Sequence, residues 1–136
     1  MPLFGALGIS GSGITTTRKW MDAISDNIAN INTATSTDGE AFRARYVIAQ
    51  AVDYGSGQGG VRVAGVASAG SPEGRMVYEP DHPLADEGGY VRYPDIDLAS
   101  QMTQLIMAQR GYQANLAVVD RAKDSFQQAL TIGRGA

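Results

Sequence analysis

The sequence predicts an α+β protein in which long N- and C-terminal helices pair as a coiled-coil-like hairpin beside a small antiparallel β-rich centre. Three observations predict this class: a heptad pattern near each end of the chain and a period-two pattern between them. A heptad spacing places apolar side chains on one face of a helix, whereas a period of two places them on one face of a strand. We expect one axial helical domain built from residues 1–33 and 96–136, and a β-rich central domain with a Pro/Gly-rich segment at residues 34–95.

The C-terminal heptad pattern is the stronger of the two. Spacings of four and three residues alternate without interruption, as in a coiled-coil seam. A helix of this length would extend about 50 Å, longer than the roughly 35–40 Å diameter of a compact domain of this size. We therefore expect an elongated molecule or a seam that another chain covers, with Asp95 or Asp97 capping the helix and Gly133 ending it. The seam comprises Leu98, Met102, Leu105, Gln109, Tyr112, Leu116, Val119, Lys123, Phe126 and Leu130.

The N-terminal pattern runs from Leu7 to Ile31 and predicts a helix over about residues 9–32. Glycines weaken its first half, since each costs a helix about 1 kcal/mol relative to alanine. The simplest packing is an antiparallel pair with the C-terminal helix. That helix also carries a second apolar strip, and a helix that is apolar on two sides usually has two partners. We therefore predict packing between subunits through the strip Ile106, Ala108, Ala114, Ala117 and Val118.

Between the helices, the residue pattern predicts a three-stranded antiparallel meander. Strands are expected at residues 42–54, 61–68 and 75–79, with a glycine-rich loop at 55–60 and a bulge at Gly65. Ser71-Pro72-Glu73-Gly74 has the signature of a type I turn. Residues 80–95 contain three prolines and two glycines and are predicted to form an extended loop.

Composition excludes several function classes. The net charge is −3, with 14 acidic and 11 basic residues, which disfavours nucleic acid as a partner. The chain has no cysteine, so disulfides and thiolate sites are excluded. No apolar run is long enough to span a membrane, and the long helix has too few basic residues for a membrane-surface helix. The N-terminus lacks the features of a cleaved secretory signal, and we expect none.

One cluster of residues raises the question of catalysis or metal binding: Asp81, His82, Asp86 and Glu87. A metal or acid–base site needs such groups to converge on one point, but these lie in one loop and His82 is the only histidine. A structural role is the favoured interpretation, and a small metal-dependent enzyme using Asp81, His82 and Asp86 is kept as an alternative. We expect no catalytic residues, no cofactor, no metal and no small-molecule substrate.

Three motifs together resemble bacterial flagellar axial proteins, the family of rod and hook subunits. The first, Ala-Asn-x-x-Thr, ends the first helix at Ala29–Thr33, and the second, Gln-Arg-x-Tyr-x-Ala-Asn, lies at Gln109–Asn115. Both are shared widely in that family. The stretch His-Pro-x-Ala-Asp-x-x-Gly-Tyr-Val-x-x-Pro at His82–Pro94 is more specific to a proximal-rod member. The resemblance covers residues 3–132, and it is carried in the loop by Pro80, His82, Pro83, Ala85, Asp86, Gly89, Tyr90, Val91 and Pro94.

The resemblance implies a non-enzymatic structural subunit of the proximal rod of the basal body. Terminal helices of neighbouring subunits would pack into a hollow helical tube that transmits torque. It implies as partners other copies of the chain, other rod proteins and the flagellar type III export apparatus, without direct membrane insertion. The implied location is the rod, which spans the periplasm, and the implied export route leaves no cleaved signal peptide. We expect the assembly interface to include Ile24, Ile28, Asn30, Ile31, Met102, Leu105, Ile106, Tyr112, Asn115, Leu116, Val119, Phe126 and Leu130.

Two other functions remain open at this point. The chain could be a different axial subunit of the rod or hook, because the two helix motifs are shared among these proteins. It could also be a coiled-coil adaptor or secreted protein unrelated to flagella, because heptad patterns alone carry no functional identity.

Overall fold

Helices occupy both ends of the chain and strands lie between them in the computed structural model, which describes residues 2–55 and 58–135. This arrangement confirms the predicted α+β class. Residues 56 and 57 of the predicted glycine-rich loop, and residues 1 and 136 of the predicted helical domain, lie outside the described residues. The elements are α1 (Pro2–Asn30), β1 (Ala44–Gly55), β2 (Gln58–Ala69), β3 (Arg75–Tyr78), β4 (Tyr90–Tyr93) and α2 (Leu98–Arg134).

The two helices pack side by side in antiparallel directions. Near one end, the Phe4 and Phe126 rings meet edge to face with centroids 6.3 Å apart. Near the other end, the Asn27 amide donates to the Gln101 side chain at 2.9 Å. With Phe4 level with Phe126, the last turns of α2, residues 128–134, extend about 10 Å beyond the start of α1.

Helix α1 begins earlier than predicted, at Pro2 instead of about residue 9. Proline is favoured in the first turn of a helix because its missing N–H would have no partner there. One of the glycines that weaken the predicted helix, Gly13, lies where α2 approaches closely. A Cβ on Gly13 would lie 2.7 Å from Asn115 Oδ1, whereas one on Gly8 or Gly11 would meet nothing within 4 Å.

Helix α2 begins where the sequence predicts and ends later. The Asp97 carboxylate caps it by accepting hydrogen bonds from the amides of Ala99 and Ser100, at 3.4 and 3.0 Å. The predicted stop at Gly133 is wrong, because the helix continues to Arg134 and Gly135 is the cap residue. An added Cβ on Gly133 would meet nothing within 4 Å, so no neighbouring element stops the helix at that residue.

Strands β1 and β2 form a long antiparallel hairpin that packs against α1. Its register pairs Ile48 with Gly65 and then Ala49 with Val63, so Ala64 is the extra residue of a bulge beside Gly65. The bulge was predicted at this place. The hairpin is held to α1 near both ends, since the Val61 amide donates to Ser12 Oγ at 3.0 Å and Arg45 bonds Asn27.

The predicted three-stranded meander is wrong. Strand β3 pairs with β4, not with β2, so the centre contains two two-stranded sheets. Left-handed backbone at Gly70 and Gly74, with φ of 99° and 57°, turns the chain away from β2. A side chain at Gly74 would collide with the Tyr93 carbonyl, so glycine lets β3 approach β4.

Strand β4 was read as loop because prolines and glycines flank it, although Tyr-Val-Arg-Tyr itself has high strand propensity. The connector after α1 also joins this sheet. Thr35 and Arg92 exchange backbone hydrogen bonds of 2.8 and 2.9 Å. Val91 of β4 is fully buried. Among the described residues, no helix has both the length and the apolar character that crossing a membrane requires.

Candidate assembly interface

The face of α2 that packs on α1 is one residue out of step with the predicted seam. The side chains buried most deeply on α2 are those of Gln101, Ala108 and Ala122, and Asn115 is half-buried one heptad after Ala108. The predicted seam therefore contains both half-buried and exposed residues. Its members Leu105, Tyr112 and Val119 are half-buried, and its members Leu98, Met102, Gln109, Leu116, Lys123, Phe126 and Leu130 are exposed.

Four large apolar side chains on α2 form an outer stripe that no described part of the chain covers. The first three follow one another at intervals of four residues, and the fourth lies close to three helical turns after the third. All four therefore share one side of the helix. Each is between 41 and 50 % exposed, although large aliphatic side chains are usually buried. The outer stripe comprises Leu98, Met102, Ile106 and Leu116.

Four of the five members of the second predicted apolar strip are exposed in the single chain. Ile106 and Val118 are exposed, as are Ala114 and Ala117. Ala108 was assigned to the same strip, but it is fully buried against the rest of the chain. The assignment of Ala108 is wrong because its small side chain packs inside the subunit, and a small side chain contributes little to a hydrophobic pattern.

The predicted interface residues of α1 lie mostly inside the subunit. Ile24 is 1 % exposed and belongs to the core, while Ile28 and Ile31 are half-buried. Asn30 ends the helix, where its amide donates to the Asp26 carbonyl at 2.9 Å and its Oδ1 accepts from Thr33 Oγ1 at 3.3 Å. The Ala-Asn-x-x-Thr motif thus closes the last turn of α1.

A buried polar contact that the sequence analysis missed joins α1, β1 and α2. Asn27 Oδ1 accepts from the Arg45 amide at 2.7 Å. Asn27 Nδ2 donates both to the Arg45 carbonyl at 3.0 Å and to Gln101 Oε1 at 2.9 Å. Asn27 is fully buried and Gln101 is 2 % exposed. Gln101 lies one residue before the predicted seam position Met102, so the apolar pattern does not mark it as a buried residue.

The motif loop between β3 and β4 is held by its own hydrogen bonds. The Asp86 carboxylate accepts from the amides of Gly88 and Tyr90, both at 2.9 Å. These bonds, that from the Tyr90 amide most of all, lower the pKa of Asp86 below its ordinary value. Gly89 has a φ of 80°, and its backbone packs against the Tyr78 ring.

The other motif residues support the same loop. His82 Nδ1 accepts from the Leu84 amide at 3.1 Å, and the Ala85 amide donates to the His82 carbonyl at 3.0 Å. The Tyr78 and Tyr90 rings meet edge to face at 5.3 Å. Val91 and Pro94 are buried, whereas Pro80 and Pro83 are exposed at the loop surface.

The polar groups of this loop are engaged in shaping it. Asp86 and His82 both accept from backbone amides, and Asp81 is exposed. Within residues 2–55 and 58–135, no three His, Asp or Glu side chains converge on a point where they could hold a metal ion. The arrangement is that of a rigid surface loop, which is suited to contacts with another protein.

An open groove of about 570 Å³ lies between the first turns of α1 and the tip of the β1–β2 hairpin. Phe4, Val52 and Tyr54 form its apolar walls, and Gly5 and Gly8 form part of its floor. The groove is open to solvent along its length and contains no cluster of titratable side chains, so its shape suits a neighbouring side chain better than a reacting ligand.

Comparison with known proteins identifies the family. Residues 7–34 match the family described as "Flagella basal body rod protein", and residues 87–132 match "Flagellar basal body rod FlgEFG protein C-terminal". The flagellar basal-body rod protein FlgC of Salmonella typhimurium is 39 % identical over 136 residues, covering 98 % of this chain and all of that protein.

More distant relatives agree with this result. FlgC of Borreliella burgdorferi is 34 % identical over 154 residues, covering 99 % of this chain and all of that protein. FlgC of Bacillus subtilis is 32 % identical and covers 98 % of this chain. With such similarity along its whole length, the chain is a structural subunit of the basal-body rod and not an enzyme, and it belongs to the FlgC family of flagellar basal-body rod proteins.

Proposed function

We propose that this chain is a subunit of the proximal rod that assembles through its terminal helices into a hollow helical tube transmitting torque. The observation that carries the proposal is the outer stripe of α2, whose four large apolar side chains lie in solvent in the single chain. Exposed apolar surface of this extent on a helix is typical of a protein–protein contact. A contact between unlike patches on successive copies generates an open helical array instead of a closed dimer.

The charge distribution favours α2, not α1, as the helix that faces neighbouring subunits. The exposed side of α1 carries ion pairs, Lys19 with Asp22 at 4.0 Å and Arg45 of β1 with Asp26 at 3.1 Å. Such exposed pairs contribute little stability and are compatible with solvent. The outer stripe of α2 has no comparable charges between Leu98 and Ile106. The tube wall would therefore be formed mainly by α2.

The extension of α2 beyond α1 supports contacts along the tube as well as around it. Leu130 is 52 % exposed and Ile132 is 76 % exposed, and both lie in the turns that α1 does not reach. Two turns of helix without a tertiary partner are marginal in water. They would be stabilised by another copy of the chain or by another rod protein, which are the partners we propose.

We further propose that the subunit is exported through the flagellar type III apparatus without a cleaved signal peptide. Its proposed location is the rod, which spans the periplasm. A narrow export channel favours chains whose helices order only on assembly. The helix contact is consistent with this, because the buried apolar residues on the two helices are mostly alanines: Ala23, Ala108 and Ala122, together with Ile24. Small side chains bury little apolar area, so their pairing contributes little stability to an isolated subunit.

A different axial subunit is the one alternative with an observation in its favour. The C-terminal match is to a family named for FlgE, FlgF and FlgG, and it covers residues 87–132. The similarity to FlgC proteins, however, extends over 98 % of the chain and includes the motif loop. The proximal-rod assignment is therefore the proposal, and the hook or distal rod is the alternative.

Leu116→Asp tests the assignment in a bacterium whose own FlgC gene carries the change. Leu116 is 41 % exposed, so an aspartate leaves the fold of the single chain intact. We expect normal expression but no swimming and no rods in isolated basal bodies. Ser125→Asp places the same charge on an exposed polar position of α2 outside the outer stripe and should leave swimming unchanged. Normal swimming of the Leu116→Asp strain would refute burial of the outer stripe in the rod.

A further inference from the structure

We propose that the contact of Asn27 with Gln101 specifies the register of the two terminal helices. Its consequence for assembly depends on the proposed rod function, but the register itself is a property of the chain. Asn27 is fully buried, and each of its side-chain polar atoms is bonded within the subunit. A buried polar pair in a helix contact is the best-attested way for a protein to select one register.

Asn27 also fixes the hairpin. Its amide group pairs with both the N–H and the C=O of Arg45, on the edge of β1 that faces away from β2. It therefore occupies the place that a residue of a third strand would take. Since one side chain bonds β1 and α2 together, the position of the hairpin and the register of α2 are set by the same residue.

Along the row of α2 that faces α1, the residues other than Gln101 do not distinguish the native register from one shifted by a heptad. The row on α2 that faces α1 reads Gln101, Ala108, Asn115 and Ala122, at seven-residue intervals. Asn115 lies over Gly13 in the native register. A one-heptad shift would place Ala122 over Gly13, and alanine is smaller than asparagine, so the fit at Gly13 permits the shift.

At Asn27 the same shift is costly. It would replace Gln101 by Ala108, which has no side-chain acceptor, and Asn27 Nδ2 would lose one of its two bonds. A buried donor left without a partner is destabilising, whereas an alanine over glycine is not. Gln101 is thus the one residue of the row that discriminates between the two registers.

Cysteine crosslinking reports the register directly, because the chain has no cysteine of its own. A Cβ on Gly111 would lie 3.3 Å from Thr17 Cγ2, so Thr17→Cys with Gly111→Cys should form a disulfide in the native register. Thr17→Cys with Val118→Cys reports a shift of one heptad. In the purified full-length chain and in isolated basal bodies, we expect only the first pair to crosslink.

Moving the amide should move the register. In the background of Gln101→Ala with Ala108→Gln, we expect loss of the Thr17–Gly111 crosslink and appearance of the Thr17–Val118 crosslink. The matched control, Gln101→Ala with Ala108→Leu, adds similar bulk without an amide and should not favour the second crosslink. A Thr17–Gly111 product alone in the first background, or an equal change in the control, would overturn the proposal.

A second set of substitutions replaces the two amides by charged side chains. It tests the proposal even if the relocated amide prevents folding. Asn27→Asp leaves a carboxylate that cannot donate to Gln101 or to Arg45, and we expect loss of the Thr17–Gly111 crosslink. Adding Gln101→Lys supplies a donor and should restore the crosslink, and absence of this rescue also overturns the proposal. A chain missing from basal bodies would instead refute the proposed function, while the crosslinks of the purified chain still decide the register.

Discussion

The side chain of Asn115 on α2 lies in the space that a Cβ of Gly13 on α1 would occupy. A Cβ built on Gly13 would be 2.7 Å from Asn115 Oδ1 and 2.9 Å from its Nδ2. That Nδ2 donates to the Gly111 carbonyl of its own helix at 2.8 Å, which holds the amide flat along α2. The absence of a side chain at Gly13 therefore lets the two helices approach each other at this point.

Gly13→Val should separate the helices and reduce incorporation into the rod. Inserting side-chain atoms into a filled contact costs about 1–3 kcal/mol, and the gain in helix propensity over glycine offsets less than about 1 kcal/mol of this. The expected result is a several-fold loss of the chain from isolated basal bodies and a lower melting temperature wherever the purified chain shows a helical transition.

Gly11→Val is the matched control for this substitution. Gly11 is on the same helix, and an added Cβ there meets nothing within 4 Å. We expect this variant to be as stable as the parent chain or slightly more stable. Equal behaviour of the two valine variants would show that the close approach at Gly13 does not contribute to assembly.

The motif loop should lose order at low pH through Asp86. Hydrogen bonds from the backbone, that from Tyr90 first, hold the pKa of Asp86 below its ordinary value of 3.8. A carboxyl whose pKa is lower in the folded state stabilises the fold above the unfolded value, and the stabilisation is lost as pH falls through the depressed folded value. Loop stability should thus be constant above about pH 5 and fall below pH 3.8.

The chemical shifts of the Gly88 and Tyr90 amide protons, followed by NMR between pH 6 and pH 2, measure this titration. We expect both to move together, with a midpoint below 3.8. Asp86→Asn should abolish the movement, whereas Glu87→Gln, an exposed neighbour in the same loop, should leave it unchanged. A midpoint at or above 3.8 would contradict the role given to these hydrogen bonds.

The terminal helices should be only partly formed in dilute solution. The buried apolar residues of their contact are mainly alanines, and the outer stripe and residues 128–134 are exposed in the part of the chain that the structure describes. Isolated helices with little buried area are marginal because nucleation is costly. Circular dichroism of the purified chain should show less helix than α1 and α2 contain, with an increase on assembly. Full helicity that resists heating in the dilute monomer would refute ordering on assembly.

Element types were predictable from the sequence, because periodicity alone distinguishes the long helices from the hairpin strands. Heptads predict α1 and α2, Asp97 is one of the two residues predicted as the cap of α2, and the predicted bulge lies beside Gly65. Strand pairing was not predictable in the same way. Partners of β3 depend on the direction of the chain after Gly70 and on the space beside Gly74, which are properties of the backbone in three dimensions.

The contact face of α2 shows a second limit of sequence patterns. The predicted seam follows the large apolar residues, yet the side chains that α2 buries most deeply are those of Gln101, Ala108 and Ala122. A sequence pattern ranks residues by hydrophobicity. Close packing of two helices instead requires small side chains and, at Asn27, a hydrogen-bond partner. Large residues such as Met102 and Leu116 were thereby assigned to the same seam as Leu105, although they are exposed. For residues 80–95, the residue types predict an extended loop but neither strand β4 nor the bonds to Asp86.

Gly89→Ala should loosen the motif loop by two separable effects. Its φ of 80° lies in the left-handed region, which costs a residue with a Cβ roughly 1–2 kcal/mol. In addition, the new Cβ would lie 2.8 Å from Tyr78 Cε2 and 3.1 Å from Pro80 Cβ. We expect a larger loss of thermal stability of the central domain than strain alone produces, measured by near-ultraviolet circular dichroism of the tyrosines.

Gly70→Ala isolates the strain, since Gly70 has a φ of 99° and an added Cβ there meets nothing within 4 Å. The excess destabilisation of Gly89→Ala over Gly70→Ala then measures the packing of the loop backbone on Tyr78. Because the Tyr78 and Tyr90 rings touch edge to face, the tyrosine signal should change in Gly89→Ala and remain unchanged in Gly70→Ala. Equal melting temperatures and equal spectra for the two variants would mean that the loop does not depend on that contact.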